Sequence, residues 1–244
     1  MYKTFSKMAL ILCLTPAFLF AQTYKVVVNP NSPPKAFRDE SGLFIGIDVD
    51  IIKAIAQSKG FEVEFFGSDK KLPTIDDGSN DIAPSIVITD DRKAKYGVSD
   101  SYFTGYTTAL HKKALADNNL ENLPSDRTAV VFDTNKHKLL KEAGLSPIKA
   151  DTTFLGIAMV FQGKADYFVS DDSILKYTIK QNPKLKADLT NLMVHGVLEE
   201  SHYGFVVKKD QTELLNKINA GLAEIKANGE FDKIVESWMG KAGN

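Results

Sequence analysis

Cysteine is nearly absent: the 244 residues contain one, Cys13, alongside a single tryptophan and four histidines. Cys13 lies within MALILCLTPAFLF, residues 8–20, an apolar run of 13 preceded by Lys3 and Lys7. A basic start, an apolar run too short to span a bilayer, and the small residue Ala21 before Gln22 read as a cleaved export signal over residues 1–21. Leu12 precedes Cys13 where a lipoprotein signal calls for a small residue, which argues against a lipid anchor. The mature chain then has no cysteine, so even in an oxidising compartment its stability must come from packing. About 220 residues allow that, as one large domain or two small ones. No later run is long and apolar enough to cross a membrane, which predicts a soluble, exported chain.

An excess of positive charge is also missing. Without Lys3 and Lys7 there are 28 basic and 31 acidic residues, a net of −3. No basic run contradicts this balance, and a nucleic-acid partner is not expected. His111, His137, His195 and His202 lack the paired spacing of metal ligands. A glycine-rich phosphate loop and a G-x-S-x-G elbow are lacking too. No metal, cofactor or catalytic residue is expected.

What is present is an alternation of short β-rich runs and helical patterns. YKVVV (24–28), FEVEFF (61–66), TAVVF (128–132), YFVS (167–170) and YGFVV (203–207) predict strands. Between the first two, Ile51, Ile52, Ile55 and Ala56 mark one helical face, and Gly60 supplies a stop. Asp210 and Glu213 form a D-x-x-E helix start. Leu214, Leu215, Ile218, Leu222 and Ile225 then keep a helical period until Asn228-Gly229. A last helix carries Phe231, Ile234, Val235 and Trp238 on its apolar stripe. The alternation predicts an α/β fold with largely parallel sheets. The polar stretch 115–126 predicts the start of a second lobe, with a fresh strand–helix unit from Thr128.

Three strand ends carry polar groups suited to a ligand. In SIVITDDR (85–92), Thr89, Asp90 and Asp91 read as a helix start, and Arg92 is a cation placed against the helix dipole. In VVFDTNKHKLL (130–140), Asp133, Thr134 and Asn135 sit between strand and helix. In ADYFVSDDSILKY (165–177), Asp171 ends a strand. Ligands of open α/β sheets gather at such carboxyl ends. One cation and one anion there suit a zwitterion, with the guanidinium gripping a carboxylate. The plain alternatives are a surface arginine, a helix-capping Asp171, and ordinary N-cap chemistry at Thr134 and Asn135.

At these residues the chain resembles the family 3 solute-binding proteins, the periplasmic polar-amino-acid receptors of ABC importers. The marks are SPPKAFRDESGLFIGIDVDIIKAIA near the start, IVITDDRKAKYGVSDSYF (86–103), GKADYFVSDDSILKY (163–177) and NKINAGLAEIKANGEFDKIVESWMG at the end. The resemblance implies a type II periplasmic binding protein fold: two α/β lobes joined by two crossover hinge segments, closing on the ligand. It places the first lobe in 22–109 and 197–244 and the second in 110–196. Arg92 matches the arginine that binds the ligand carboxylate, and Asp171 the aspartate that binds its ammonium. Ser85 and Val87 lie where backbone groups and a small hydroxyl touch the ligand. Asp133, Thr134 and Asn135 match a loop whose amides meet the carboxylate.

The chain departs from that pattern at several points. Lys35 stands where the family commonly has a phenylalanine, and Ser32 and Ser68 stand where aromatics often sandwich the ligand. Val87 replaces a hydroxyl residue, Asp133 replaces a glycine, and the segment between Asp81 and Ser85 is one residue short. The implied function is capture of a small amino acid or similar zwitterion by a monomer that hands it to a membrane permease. The alternatives are an exported enzyme on the same scaffold, like cyclohexadienyl dehydratase, with Asp133 or Asp171 as proton donor, and a soluble sensor presenting its ligand to a chemoreceptor or kinase.

Overall fold

The computed structural model describes residues 21–112, 123–132, 134–182 and 192–240, with backbone alone over 192–198. Residues 1–20, which hold most of the export signal read over 1–21, most of the polar stretch 115–126, and Asp133 lie outside the described residues.

The first lobe opens with β1 (Thr23–Val28), whose Val26, Val27 and Val28 are fully buried. Two short strands, β2 (Asn31–Ser32) and β3 (Ala36–Arg38), pair with each other, and β3 pairs with β4 (Phe44–Ile45). Helix α1 (Ile47–Lys59) then buries Ile51, Ile52, Ile55 and Ala56, the face read from the sequence, and Gly60 closes it in the left-handed region at φ 68°. β5 (Glu62–Gly67) runs parallel to β1. After α2 (Lys71–Asp76) comes β6 (Ala83–Val87), then α3 (Asp90–Lys95) and β7 (Gly97–Val98).

β8 (Phe103–Lys112) leaves this lobe, and the second lobe follows as β9 (Thr128–Val131), α4 (Asn135–Glu142), β10 (Ile148–Ala150), α5 (Thr153–Phe161), β11 (Tyr167–Asp171) and α6 (Asp172–Gln181). β12 (Leu192–Val207) returns to the first lobe, and α7 (Thr212–Ala227) and α8 (Glu230–Met239) pack there. The strand order β10-β9-β11-β8-β12-β6 makes one continuous sheet through both lobes. The domain edges read at 109/110 and 196/197 fall inside β8 and β12.

Three sequence readings need correction. The sheets are mixed rather than largely parallel: β9 pairs in parallel with β10 and β11, while β8 and β12 run antiparallel to each other and to their outer neighbours. The crossing strands impose this, because one leaves the first lobe and the other returns. The YGFVV strand is the end of a 16-residue strand. The D-x-x-E start does not form: α7 begins after Gln211 with no side-chain cap, and Glu213 pairs with Lys217 at 2.8 Å.

The lobes also meet away from the sheet. Phe37 of the first lobe packs edge-on against Tyr177 of α6 at 5.9 Å and Trp238 of α8 at 5.7 Å. Trp238 Nε1 donates to Asp50 at 2.7 Å, so the lone tryptophan is a packing residue with its polar edge satisfied.

Candidate functional site

The cleft is built around two helix starts that carry a cation. In α3, Thr89 Oγ1 accepts from the Arg92 amide at 3.3 Å, as the sequence suggests. The half-buried Arg92 side chain turns back, and its Nη1 donates to the Val87 carbonyl at 2.6 Å. That bond fixes the plane of the guanidinium and leaves Nη2 and Nε without a partner among the described residues. In α4, Thr134 Oγ1 accepts from the His137 amide at 3.3 Å and donates to the Val131 carbonyl at 2.7 Å. The second residue of that helix, Lys136, is buried, and its Nζ lies 2.6 Å from Asp171 Oδ1.

Asp171 is therefore no helix cap; it makes no capping bond and is half of a shielded ion pair. Its neighbour Asp172 accepts from the Tyr106 amide at 3.3 Å and pairs with Lys176 at 3.0 Å. Asp171 Oδ2 keeps a free lone-pair face among the described residues.

Opposite this pair, the first lobe holds a second charged group. Gly46 makes it possible: it has φ 131°, and a Cβ there would lie 2.4 Å from the Lys35 carbonyl oxygen. The close approach lets the Asp48 amide donate to that same oxygen at 2.9 Å, which draws Lys35 and Asp48 together. Buried Asp48 accepts from Tyr102 OH at 2.6 Å, and Tyr102 OH accepts from the Ser85 amide at 2.9 Å. Burial and the Asp48 charge push the Tyr102 phenol well above its ordinary range, so it stays a proton donor.

Ser85 sits at φ 51°, an unusual conformation for a residue with a side chain. The ladder between β6 and β12 shifts register there, leaving Pro84 and Ser85 opposite Phe205 alone. Lys71 Nζ ties down the bulge by donating to the Pro84 and Ser85 carbonyls.

Burial, with the charges of Lys35 and Arg92 added, lowers Lys71 to about 8 against the pull of Asp48. The unfolded chain holds that proton up to about 10.5, so between the two values it binds more protons than the folded protein. The contribution of Lys71 to stability then rises with pH across that window. Urea denaturation of the wild type and of Lys71→Met should show a difference that grows by up to about 3 kcal/mol from pH 7.5 to 10.5. A constant difference would mean that Lys71 is not desolvated.

Between the lobes lies a cavity of about 510 Å³, lined from the first lobe by Asn31, Ser32 and Pro33 and from the second by Thr134, Lys136, Thr152, Ser170 and Asp171 among others. Of the residues singled out by sequence, Ser32, Thr134 and Asp171 line it. Arg92, Ser85 and Val87 form the cluster described above on the first lobe. Asn135 faces a shallow depression along α4, shared with His137 and Lys141. Ser68 is half-buried, and its hydroxyl accepts from the Lys70 amide at 3.1 Å. Asp48, Lys71, Tyr102 and Lys136 were not anticipated. For Lys136 the clue was present, since it too is a cation in the first turn of a helix.

Comparison with known proteins identifies the family and the fold. The model of the bacterial extracellular solute-binding proteins, family 3, matches residues 24–241. The "Probable histidine-binding protein" of Neisseria gonorrhoeae is 29% identical over 93% of this chain and 87% of its own. The ABC transporter glutamine-binding protein GlnH of Bacillus subtilis is 28% identical over 88% and 81%. Among solved structures, the ancestral cationic amino acid solute-binding protein AncCDT-1 superposes with a TM-score of 0.74 at 30% identity, covering 89% of this chain and 95% of that one. A second structure of AncCDT-1 is described as a precursor of cyclohexadienyl dehydratase.

Proposed function

The chain belongs to the bacterial extracellular solute-binding proteins, family 3, and on that premise we propose that it captures a small amino acid or similar zwitterion between its lobes for the permease of an ABC importer. It acts in the periplasm as a monomer after removal of residues 1–21. The lobes divide at 22–109 with 197–244, and at 110–196.

The observation that carries this reading is the cavity whose wall is shared by Asn31, Ser32 and Pro33 on one side and Thr134 and Asp171 on the other. A ligand there touches both lobes, so only the closed state collects its full interaction energy. Arg92 takes the carboxylate through its free guanidinium nitrogens, and the Oδ2 edge of Asp171 takes the ammonium beside Lys136.

A thermal-shift screen of the L- and D-amino acids tests the reading. At a ligand concentration 100-fold above Kd, binding adds about 2.7 kcal/mol, which for a chain of this size raises Tm by roughly 5–10 °C. Silence from every compound would overturn it. The reading includes no catalytic residue, so incubation with prephenate and arogenate should give no turnover.

A further inference from the structure

Lys35 is the least expected group in the cleft. Its Nζ lies 3.6 Å from the centroid of the Tyr203 ring and 5.5 Å from that of Phe103. Among the described residues its ammonium makes no hydrogen bond and no ion pair. Burial lowers its pKa, while Asp48 of its own lobe and Asp171 and Asp172 of the other act to raise it. An ammonium held on two aromatic faces has its charge softened but gains no acceptor for its protons.

The surrounding charges do not balance. Asp171 is matched by Lys136 and Asp172 by Lys176. Among the described residues, Asp48 is then the first-lobe carboxylate acting on both Lys35 and Lys71, and its Oδ1 already accepts from Tyr102. Desolvated cations in excess need anions. The same arrangement disfavours a cationic ligand, because Lys35 already occupies the aromatic faces on which a cationic side chain would stack.

We infer that the ligand is a small dicarboxylic acid, with one carboxylate on Arg92 and the second on Lys35 and Lys71. This rests on the binding-protein reading above and narrows its ligand class. Two sources share the chemistry: acidic amino acids, whose ammonium uses the Oδ2 edge of Asp171, and diacids without an amine, which leave the Lys136–Asp171 pair undisturbed. The three cations meet at one junction of the first lobe: Lys71 and Arg92 both donate to β6 carbonyls, and Lys35 rests on Tyr203, which lies opposite Val87 in the ladder.

Calorimetry on the mature chain decides the matter, with glutamate, aspartate, glutamine, asparagine, arginine, histidine, succinate and 2-oxoglutarate as probes. At least one diacid should bind tenfold or more tightly than glutamine, asparagine and the cationic amino acids. Comparison of the amino diacids with succinate and 2-oxoglutarate then identifies the source. Lys35→Met should cut diacid affinity at least tenfold without weakening any amide that binds, and Lys71→Met provides a second, independent variant. Tighter binding of an amide or a cationic amino acid would overturn the inference and leave the capture reading standing. A diacid preference untouched by both variants would also overturn it. Silence from all eight probes would overturn the inference, and the amino-acid screen above reports separately on the broader reading.

Discussion

Arg92→Ala is expected to weaken ligand binding by about 2–5 kcal/mol, roughly 30-fold to several thousand-fold in Kd. The loss is large because the guanidinium is oriented before the ligand arrives. Its Nη1 is committed to the Val87 carbonyl at 2.6 Å, which aims the rest of the fork at one position. Truncation removes the charge and also strands a ligand carboxylate among groups that cannot replace it. Arg92→Lys should recover only part of the affinity, since a point charge does not reproduce a planar fork. The fold should tolerate both changes, because Arg92 is half-buried and the α3 cap uses its backbone amide rather than its side chain. Calorimetry with an unchanged Kd for Arg92→Ala would move the carboxylate site elsewhere.

The largest effect on stability is expected at Phe168. It is fully buried on β11, and its ring lies over Gly156 of α5 so closely that a Cβ on that glycine would meet a ring carbon at 2.1 Å. Phe168→Ala should cost about 3–5 kcal/mol through lost transfer energy and the cavity left behind. Gly156→Ala should cost about 1–3 kcal/mol by overpacking, despite alanine's better helix propensity. In the double variant the new methyl enters the space vacated by the ring, so the two losses should fall short of their sum. Urea denaturation of the four proteins measures that coupling, and strict additivity would show that α5 and β11 do not meet as described. β11 leads directly into Asp171, so Phe168→Ala should weaken ligand binding as well.

Much of this architecture could be read from the residues. Arg92 stood out as a cation in the first turn of a helix, and the buried face of α1 followed from Ile51, Ile52 and Ile55. Lys35 was visible as a substitution, but not as a cation resting on Tyr203, 168 positions away in the chain. Asp48, Tyr102 and Ser85 come together only because β6 bulges and Gly46 lets the β2–β4 segment lie against the start of α1. No local pattern encodes such contacts. Lys136 was passed over because Thr134 and Asn135 already made a sufficient helix start. The upstream part of β12 went unread since VHGVLEESH (194–202) is polar and lacks a two-residue alternation. What secures it is the ladder to β8, a tertiary cause.

That ladder limits what the two lobes can do relative to each other. β8 and β12 are hydrogen-bonded over most of their shared length, from Leu192 opposite Lys112 to Tyr203 opposite Phe103, with one register shift between His195 and Glu199. The two crossings are therefore a single ribbon rather than two independent tethers. Sliding or separating the lobes would break the ladder, whereas bending and twisting leave most of it intact. The joint has few degrees of freedom, so little orientational entropy remains to be lost when the lobes come together. A ligand that bridges the lobes therefore meets two walls already held near one relative orientation by the ribbon.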